Sequence, residues 1–294
     1  MTTVAGAAGK TLPPELSKAL GRLTEISSLP EITTKIVQVV EDPRATAHDM
    51  HEIVRGDPAL ATKILKVVNS AFYGLPSQIA SLERAIVLLG LSAVKNIALA
   101  ASLSRLFSVE ALSEQFAARD LWRHCIAVGV CARRLADLVH SSHVDELFVA
   151  GLVHDMGLLA VQQLFPAKLK STVERCQASN LRFCAVEEEL VGADHQTFGG
   201  ALAARWRFPP GLRYAVAYHH DVAALQPEFQ KPTALVYVAD TLCCRARHGF
   251  WLTGHTQEIP GTVLDLVGLK PEQLDPVVDE LPELIEEAEH IFAE

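Results

Sequence analysis

The sequence predicts an all-α protein, a two-part helical bundle in which an N-terminal helical subdomain precedes a C-terminal helical core. Three observations predict it. Apolar residues recur at helical spacing along most of the chain. Helix-start signals such as Asp-Pro and stop signals such as glycine punctuate these segments, and strand-like alternation is hard to find anywhere. The chain has 294 residues, 49% of them hydrophobic and 21% charged, enough to fill one large or two modest cores and too apolar for a disordered chain.

The elements follow in order. Residues 1–10 are small and read as a flexible N-terminus. "TLPPELSKALGRLTEI" opens a helix with prolines in its first turn. "LPEITTKIVQVVED" puts Ile32, Ile36, Val39 and Val40 on one face, and "DPALATKILKVVNSAFYG" enters on Asp-Pro and stops at Gly74. The apolar run from Ala85 to Leu103 has the length of a membrane span, but Gly90 divides it and Lys95 and Asn96 sit in its middle. Two buried helices and no membrane span are expected there. A polar stretch near 108–115 is the expected hinge, giving an N-terminal subdomain at 11–108, a helical core at 109–250, and a C-terminal loop with an acidic helix at 251–294. Core helices are expected at 116–140, 145–165, 167–179, 183–206, 210–220 and 231–247, and an amphipathic surface helix at 271–293.

Charge narrows the partners. A formal charge of -9 and a pI near 5.7 disfavour a protein that neutralises many phosphates. "LSAVKNIALAASLSRLF" has helix-turn-helix spacing, but Ile97, Leu99, Leu103 and Leu106 fill one face and only Lys95 and Arg105 offer charge. It reads as a packing helix, and DNA is not an expected partner. Six cysteines without CxxC pairing, and an N-terminus without a basic-then-apolar leader, point to the cytoplasm.

The chemistry concentrates in the second half. His124, His154, Asp155, His195, His219, His220 and Asp240 each sit among apolar residues at helical spacing, so each is expected to point inward from its helix toward a common interior. A single buried histidine is usually a hydrogen-bonded core residue. Burying seven such groups needs an ion, ordered water or salt partners, because each unpaired polar group costs roughly 1–3 kcal/mol. Imidazole and carboxylate together suit iron, manganese or zinc, and facing helices supply ligands from several directions. His154 and Asp155 are neighbours, about 100° apart on a helix, so both reach one ion only at the rim of their helix face. His48, His51, His140, His143, His248, His255 and His290 lie in polar or loop-like surroundings and are assigned to the surface. Cys243 and Cys244 lie just past Asp240, where soft ligands could join a metal, but are read as packing residues.

These segments resemble a known family. "DPAL", "NSAFYG" and "AIVLLG" in the N-terminal half, with "GLVHDMG", "DHQTFGGALAARWRFPPGLRYAVAYHH" and "VADTL" in the C-terminal half, are similar to the HDOD domain. That domain is a relative of the HD superfamily of metal-dependent phosphohydrolases and occurs in bacterial signalling proteins. The resemblance makes the second half an HD-like core. Related HD-GYP phosphodiesterases hold metals through a histidine, an HD pair, a histidine, a histidine pair and a final aspartate, which His124, His154, Asp155, His195, His219, His220 and Asp240 match in order. By this resemblance His124, His154, Asp155 and Asp240 form the primary shell of a divalent transition metal, and His195, His219 and His220 complete it or hold a second ion. The lysine that often completes "HDxGK" is Leu158 here, and "DVAALQPEFQ" stands where "GYP" would follow His220.

The resemblance implies a bacterial signal-transduction output module, non-catalytic, whose metal or ligand site regulates protein partners such as response regulators and second-messenger enzymes. The alternative is a metal-dependent phosphodiesterase or phosphohydrolase acting on a nucleotide such as a cyclic dinucleotide, with water as the nucleophile. With no receiver or sensory domain legible ahead of the HDOD-like region, the input is expected from a separate protein.

Overall fold

The computed structural model describes residues 10–23, 29–70, 73, 75, 77–104 and 118–292. Among them every regular element is helical, as expected. The first group comprises α1 (Pro14–Gly21), α2 (Glu31–Glu41), α3 (Ala47–Arg55), α4 (Pro58–Val68), α5 (Leu82–Leu89) and α6 (Leu91–Leu103). Starts are set locally. The Thr46 hydroxyl accepts from the Asp49 amide while Asp49 accepts from the Thr46 amide, and Asp57 accepts from the Leu60 amide at 2.9 Å ahead of Pro58.

Gly90 separates α5 from α6 with φ 86, a left-handed conformation that favours glycine. Of the two helices expected to be buried here, only α6 is. It is enclosed from Ala93 to Leu103 apart from Lys95 and Asn96, whereas α5 buries Leu82 and Ala85 and leaves Val87 74% and Leu88 45% exposed. An apolar run cannot tell a helix buried all round from one that buries a single stripe. On α2 the enclosed residues are Thr33, Ile36 and Val37, while Ile32, Val39 and Val40 are half-buried, so the inner face is rotated from the expected one. The Lys95 ammonium donates to the Asp42 carbonyl at 3.4 Å, tying α6 to the end of α2.

Gly74, Leu106, Arg105 and the expected hinge at 108–115 lie outside the described residues. The end of α4 is organised instead by Asn69. Its side-chain amide donates to the Leu65 and Ile79 carbonyls at 2.8 Å each, and its oxygen accepts from the Ile79 amide at 2.6 Å. The loop beyond carries Tyr73, whose hydroxyl donates to Asp145 at 2.9 Å. Arg133 donates to the same carboxylate oxygen at 2.5 Å and lies over the Tyr73 ring. This bridge fastens the loop to the second group of helices.

That group begins with α7 (Ala118–Leu138), which packs along α8 (Val144–Val153), and continues with α9 (Gly157–Leu164), α10 (Pro166–Ala178), α11 (Phe183–Leu190), α12 (His195–Arg205) and α13 (Pro210–Tyr218). It closes with α14 (Pro227–Arg245), α15 (Gly261–Val267) and α16 (Leu274–Phe292). The helices expected over 145–165 and 183–206 are each broken in two, at 154–156 and 191–194; the first break carries His154 and Asp155, and the second ends just before His195. The amphipathic α16 buries Val277, Leu281, Ile285, Ala288 and Ile291 against α7 and α4, with Arg123–Glu289 and Arg134–Glu280 pairs at 2.6 Å on its rim. None of the helices among the described residues is long and apolar enough to cross a membrane.

If α16 belongs to the core, Leu281→Ala, at a fully enclosed position, lowers unfolding free energy by about 2–5 kcal/mol. Glu280→Ala, which removes a partly exposed pair, lowers it by less than about 1 kcal/mol. Urea midpoints of the two variants check this.

Candidate metal centre

The structure brings His124, His154, Asp155, His195, His219, His220 and Asp240 to one point in the interior of the second helical group. All are fully enclosed except His220, which is 9% exposed. Each is placed by a local feature. His124 projects from α7, against which the 248–250 turn presses closely: a Cβ on Gly249 would lie 2.5 Å from the His124 nitrogen, and its φ is 65, so the position requires glycine. The turn thereby sets the His248 carbonyl 3.1 Å from His124 Nδ1.

His154 and Asp155 occupy the break between α8 and α9. Both side chains therefore face inward, which two neighbours within an unbroken helix reach only at its rim. A Cβ on Gly157 would lie 1.9 Å from the His195 carbonyl, so α9 and α12 start backbone against backbone and Asp155 meets His195. His195 opens α12 behind Asp194, whose carboxylate accepts from the Thr197 amide at 2.8 Å and from Lys10 at 3.2 Å. His219 and His220 end α13, and the His220 amide donates to Gln196 at 2.9 Å. Asp240 lies one turn before Cys244 on α14.

Around the centre the outer ring nitrogens face acceptors. His124 Nδ1 faces the His248 carbonyl, His154 Nδ1 the Gly151 carbonyl at 2.7 Å, His195 Nδ1 the Glu187 carboxylate at 2.6 Å, and His219 Nδ1 the Val216 carbonyl at 3.1 Å. A proton on each Nδ1 satisfies these contacts and leaves four Nε2 lone pairs facing inward. What they meet is more acceptors. His124 Nε2 lies 3.1 Å from Asp240 Oδ1, His154 Nε2 3.4 Å from Asp155 Oδ2, and His195 and His219 Nε2 lie 3.2 and 3.3 Å from Asp155 Oδ1 and 3.3 Å from each other.

His154 Nε2, both Asp155 oxygens, His220 Nε2 and Asp240 Oδ2 are buried without a hydrogen-bond partner. At roughly 1–3 kcal/mol each, these orphaned atoms would consume on the order of 5–15 kcal/mol, as much as the whole stability of a domain. Protonating the imidazoles would relieve some contacts but would crowd several cations together. Burial and the neighbouring rings hold His219 and His220 below the ordinary histidine range, whereas for His154 and His195 burial is outweighed by the adjoining Asp155 and Glu187 carboxylates, which hold both above it. Burial alone would raise Asp155 and Asp240, yet the surrounding imidazoles keep both below the usual carboxylate range. Two ionised carboxylates among imidazoles whose Nε2 atoms converge suit a divalent cation, which would take the place of the protons that the carboxylates favour on His154 and His195, and the residues fit one.

The supporting residues were not singled out from sequence. Glu187 accepts from both the His195 amide, at 3.0 Å, and its ring; it lies in the preceding helix and looks like one more surface glutamate in "VEEEL". Cys244, expected only to pack, has its thiol 3.2 Å from Asp240 Oδ1. The i,i+4 spacing from Asp240 was the available signal. Cys243 is buried beside Cys131. Of the histidines assigned to the surface, His48, His140, His143 and His290 are exposed, whereas His51, His248 and His255 are half-buried. Leu158 is fully enclosed.

Comparison with known proteins agrees with this architecture. The HDOD domain matches residues 26–222, two thirds of the sequence, and the chain belongs to that family. An HDOD domain protein of unknown function from Geobacter sulfurreducens superposes with a TM-score of 0.76 at 22% identity, over 94% of this chain and 97% of that one. A candidate phosphohydrolase from Shewanella amazonensis gives 0.73 at 20% identity over 95% and 97%. An uncharacterised protein of Treponema pallidum is 24% identical over 86% of this chain, which spans about half (48%) of that curated relative's length. At these identities the solved structures speak for the fold.

Removing divalent ions with a chelator lowers the thermal midpoint of the wild-type protein and leaves Asp155→Asn unmoved, as differential scanning calorimetry would show. Glu187→Gln weakens metal affinity about 10–100-fold without touching an inward-facing donor, read by competition with a metal indicator. Affinity in both proteins falls on acidification, because imidazole binds metal only when unprotonated.

Proposed function

We propose that the chain is a bacterial signal-output module whose HD-like centre holds one or two divalent transition ions and works by binding rather than turnover. The observation that carries the reading is the convergence of buried carboxylate oxygens and ring nitrogens that find no hydrogen-bond partner. Asp155 turns Oδ2 toward His124 and His154 and Oδ1 toward His195 and His219, an arrangement suited to bridging a pair of ions. Iron, manganese or zinc matches the imidazole-rich set. Such an ion would supply positive charge and a point of attachment for an anionic ligand.

The chain's own residues do the rest. Glu187, the His248 carbonyl and the Gly151 carbonyl hold the rings in register, and Lys10 balances the Asp194 carboxylate at the mouth of α12. Leu158 offers no cation to charge developing on a transferring phosphoryl group, which favours binding over hydrolysis. His124 on α7 lies about two and a half turns from Arg133, whose bridge to Asp145 and Tyr73 reaches the first helical group. Occupancy of the centre would thus bias surfaces of both groups, where signalling partners such as response regulators would dock. The second reading, a phosphohydrolase acting on a nucleotide, is favoured by the complete donor set.

Assays of metal-loaded protein with bis(p-nitrophenyl) phosphate and a cyclic dinucleotide separate the two. The binding reading predicts no hydrolysis above that of Asp155→Asn. Chelator-sensitive turnover that disappears in this variant would establish the hydrolase.

A further inference from the structure

One cleft, of about 250 Å³, reaches the centre between the start of α11 and the 253–260 loop. Its inner end is His220, whose side chain is 2% exposed and whose Nε2 has no hydrogen-bond partner. The same residue stands with Asp155, His195 and His219 in a set of donor atoms all within 4.8 Å of one another. A ligand that enters here therefore arrives at the residues that would hold the ions.

The outer walls have the character of an anion site. Arg182, Phe183 and Cys184 line the cleft as the cap and first two residues of α11. No side chain caps this helix, and the amides of Phe183, Cys184 and Ala185 find no acceptor among the described residues. Free amides at a helix start, with the positive end of the helix dipole behind them, favour an anion. The Arg182 guanidinium is exposed and makes no ion pair among the described residues. Thr253 and Thr256 add hydroxyls to the opposite wall, while Glu258 is a single carboxylate on the rim.

We infer that this cleft binds a small phosphate-bearing ligand, with Arg182 and the α11 amides holding the phosphate beside His220 and the metal centre. The inference rests on the proposed centre for its inner end only. Arg182, at the cap of α11, supplies the cation that Leu158 does not. Size and charge limit the ligand. About 250 Å³ falls below the roughly 300–1,000 Å³ of ordinary ligand pockets, and Glu258 opposes a second anionic group. A phosphomonoester fits these limits, whereas a cyclic dinucleotide would leave most of itself outside.

The test is titration of full-length protein with inorganic phosphate and, separately, with a cyclic dinucleotide, followed by calorimetry, for wild type, Arg182→Gln and Arg182→Lys. Elemental analysis and a thermal midpoint accompany each preparation. The expected result is phosphate binding that weakens at least about tenfold in Arg182→Gln and largely returns in Arg182→Lys, at unchanged metal content and midpoint, with weaker binding of the dinucleotide. Phosphate bound equally by all three proteins, tighter binding of the dinucleotide, or no phosphate binding at full metal content would overturn the inference. Protein that holds no metal yet binds phosphate through Arg182 would sink the proposed centre and keep the cleft. Protein that binds neither would remove both.

Discussion

Everything in the second helical group is arranged around one electrostatic conflict. Carboxylate oxygens and imidazole nitrogens face one another in a buried region, and several of these atoms find no hydrogen-bond partner. Uncompensated, the conflict is comparable with the stability of the whole domain. A divalent cation resolves it with a single particle, and protonation does so only by placing several positive rings in contact. The outer ring contacts suit a proton on Nδ1 and leave Nε2 to take either an ion or a second proton.

The fold serves this convergence mainly through close backbone approaches. Gly157 lets α9 meet α12, and Gly249 lets the turn after α14 reach α7. Each brings a donor and its orienting group to the centre from a different part of the chain. Lys10, far away in sequence, joins through Asp194, so the start of the described chain is tied to the same helices. The Tyr73–Asp145–Arg133 bridge joins the first helical group to α7 and α8. The centre and the outer helices thus share elements, and a change at one is felt mechanically at the other.

Much of the fold was legible because helical periodicity and caps are local properties. The convergence of the site residues was legible for a related reason: histidine and aspartate are conspicuous inside apolar helical runs, as in "GLVHDMGLL". The helix break at 154–156 was not, since helical patterning continues through it; the break at 191–194 carries local signals that the periodicity overrode, Gly192 at φ 99 closing α11 and Asp194 capping α12. Glu187 and the His248 carbonyl were equally hidden. A second-layer acceptor is defined by where the fold brings it, and a backbone carbonyl has no sequence signature at all. The exposed side of α5 escaped because Val87 and Leu88 look like core.

The most direct measurement is the content of iron, manganese, zinc and magnesium per chain, by elemental analysis of protein purified without chelators or a histidine tag and again after reconstitution. The account predicts one or two tightly held transition ions per chain. No bound metal in either preparation would contradict it, and would mean that His154, Asp155 and their neighbours are stabilised by protons and hydrogen bonds alone.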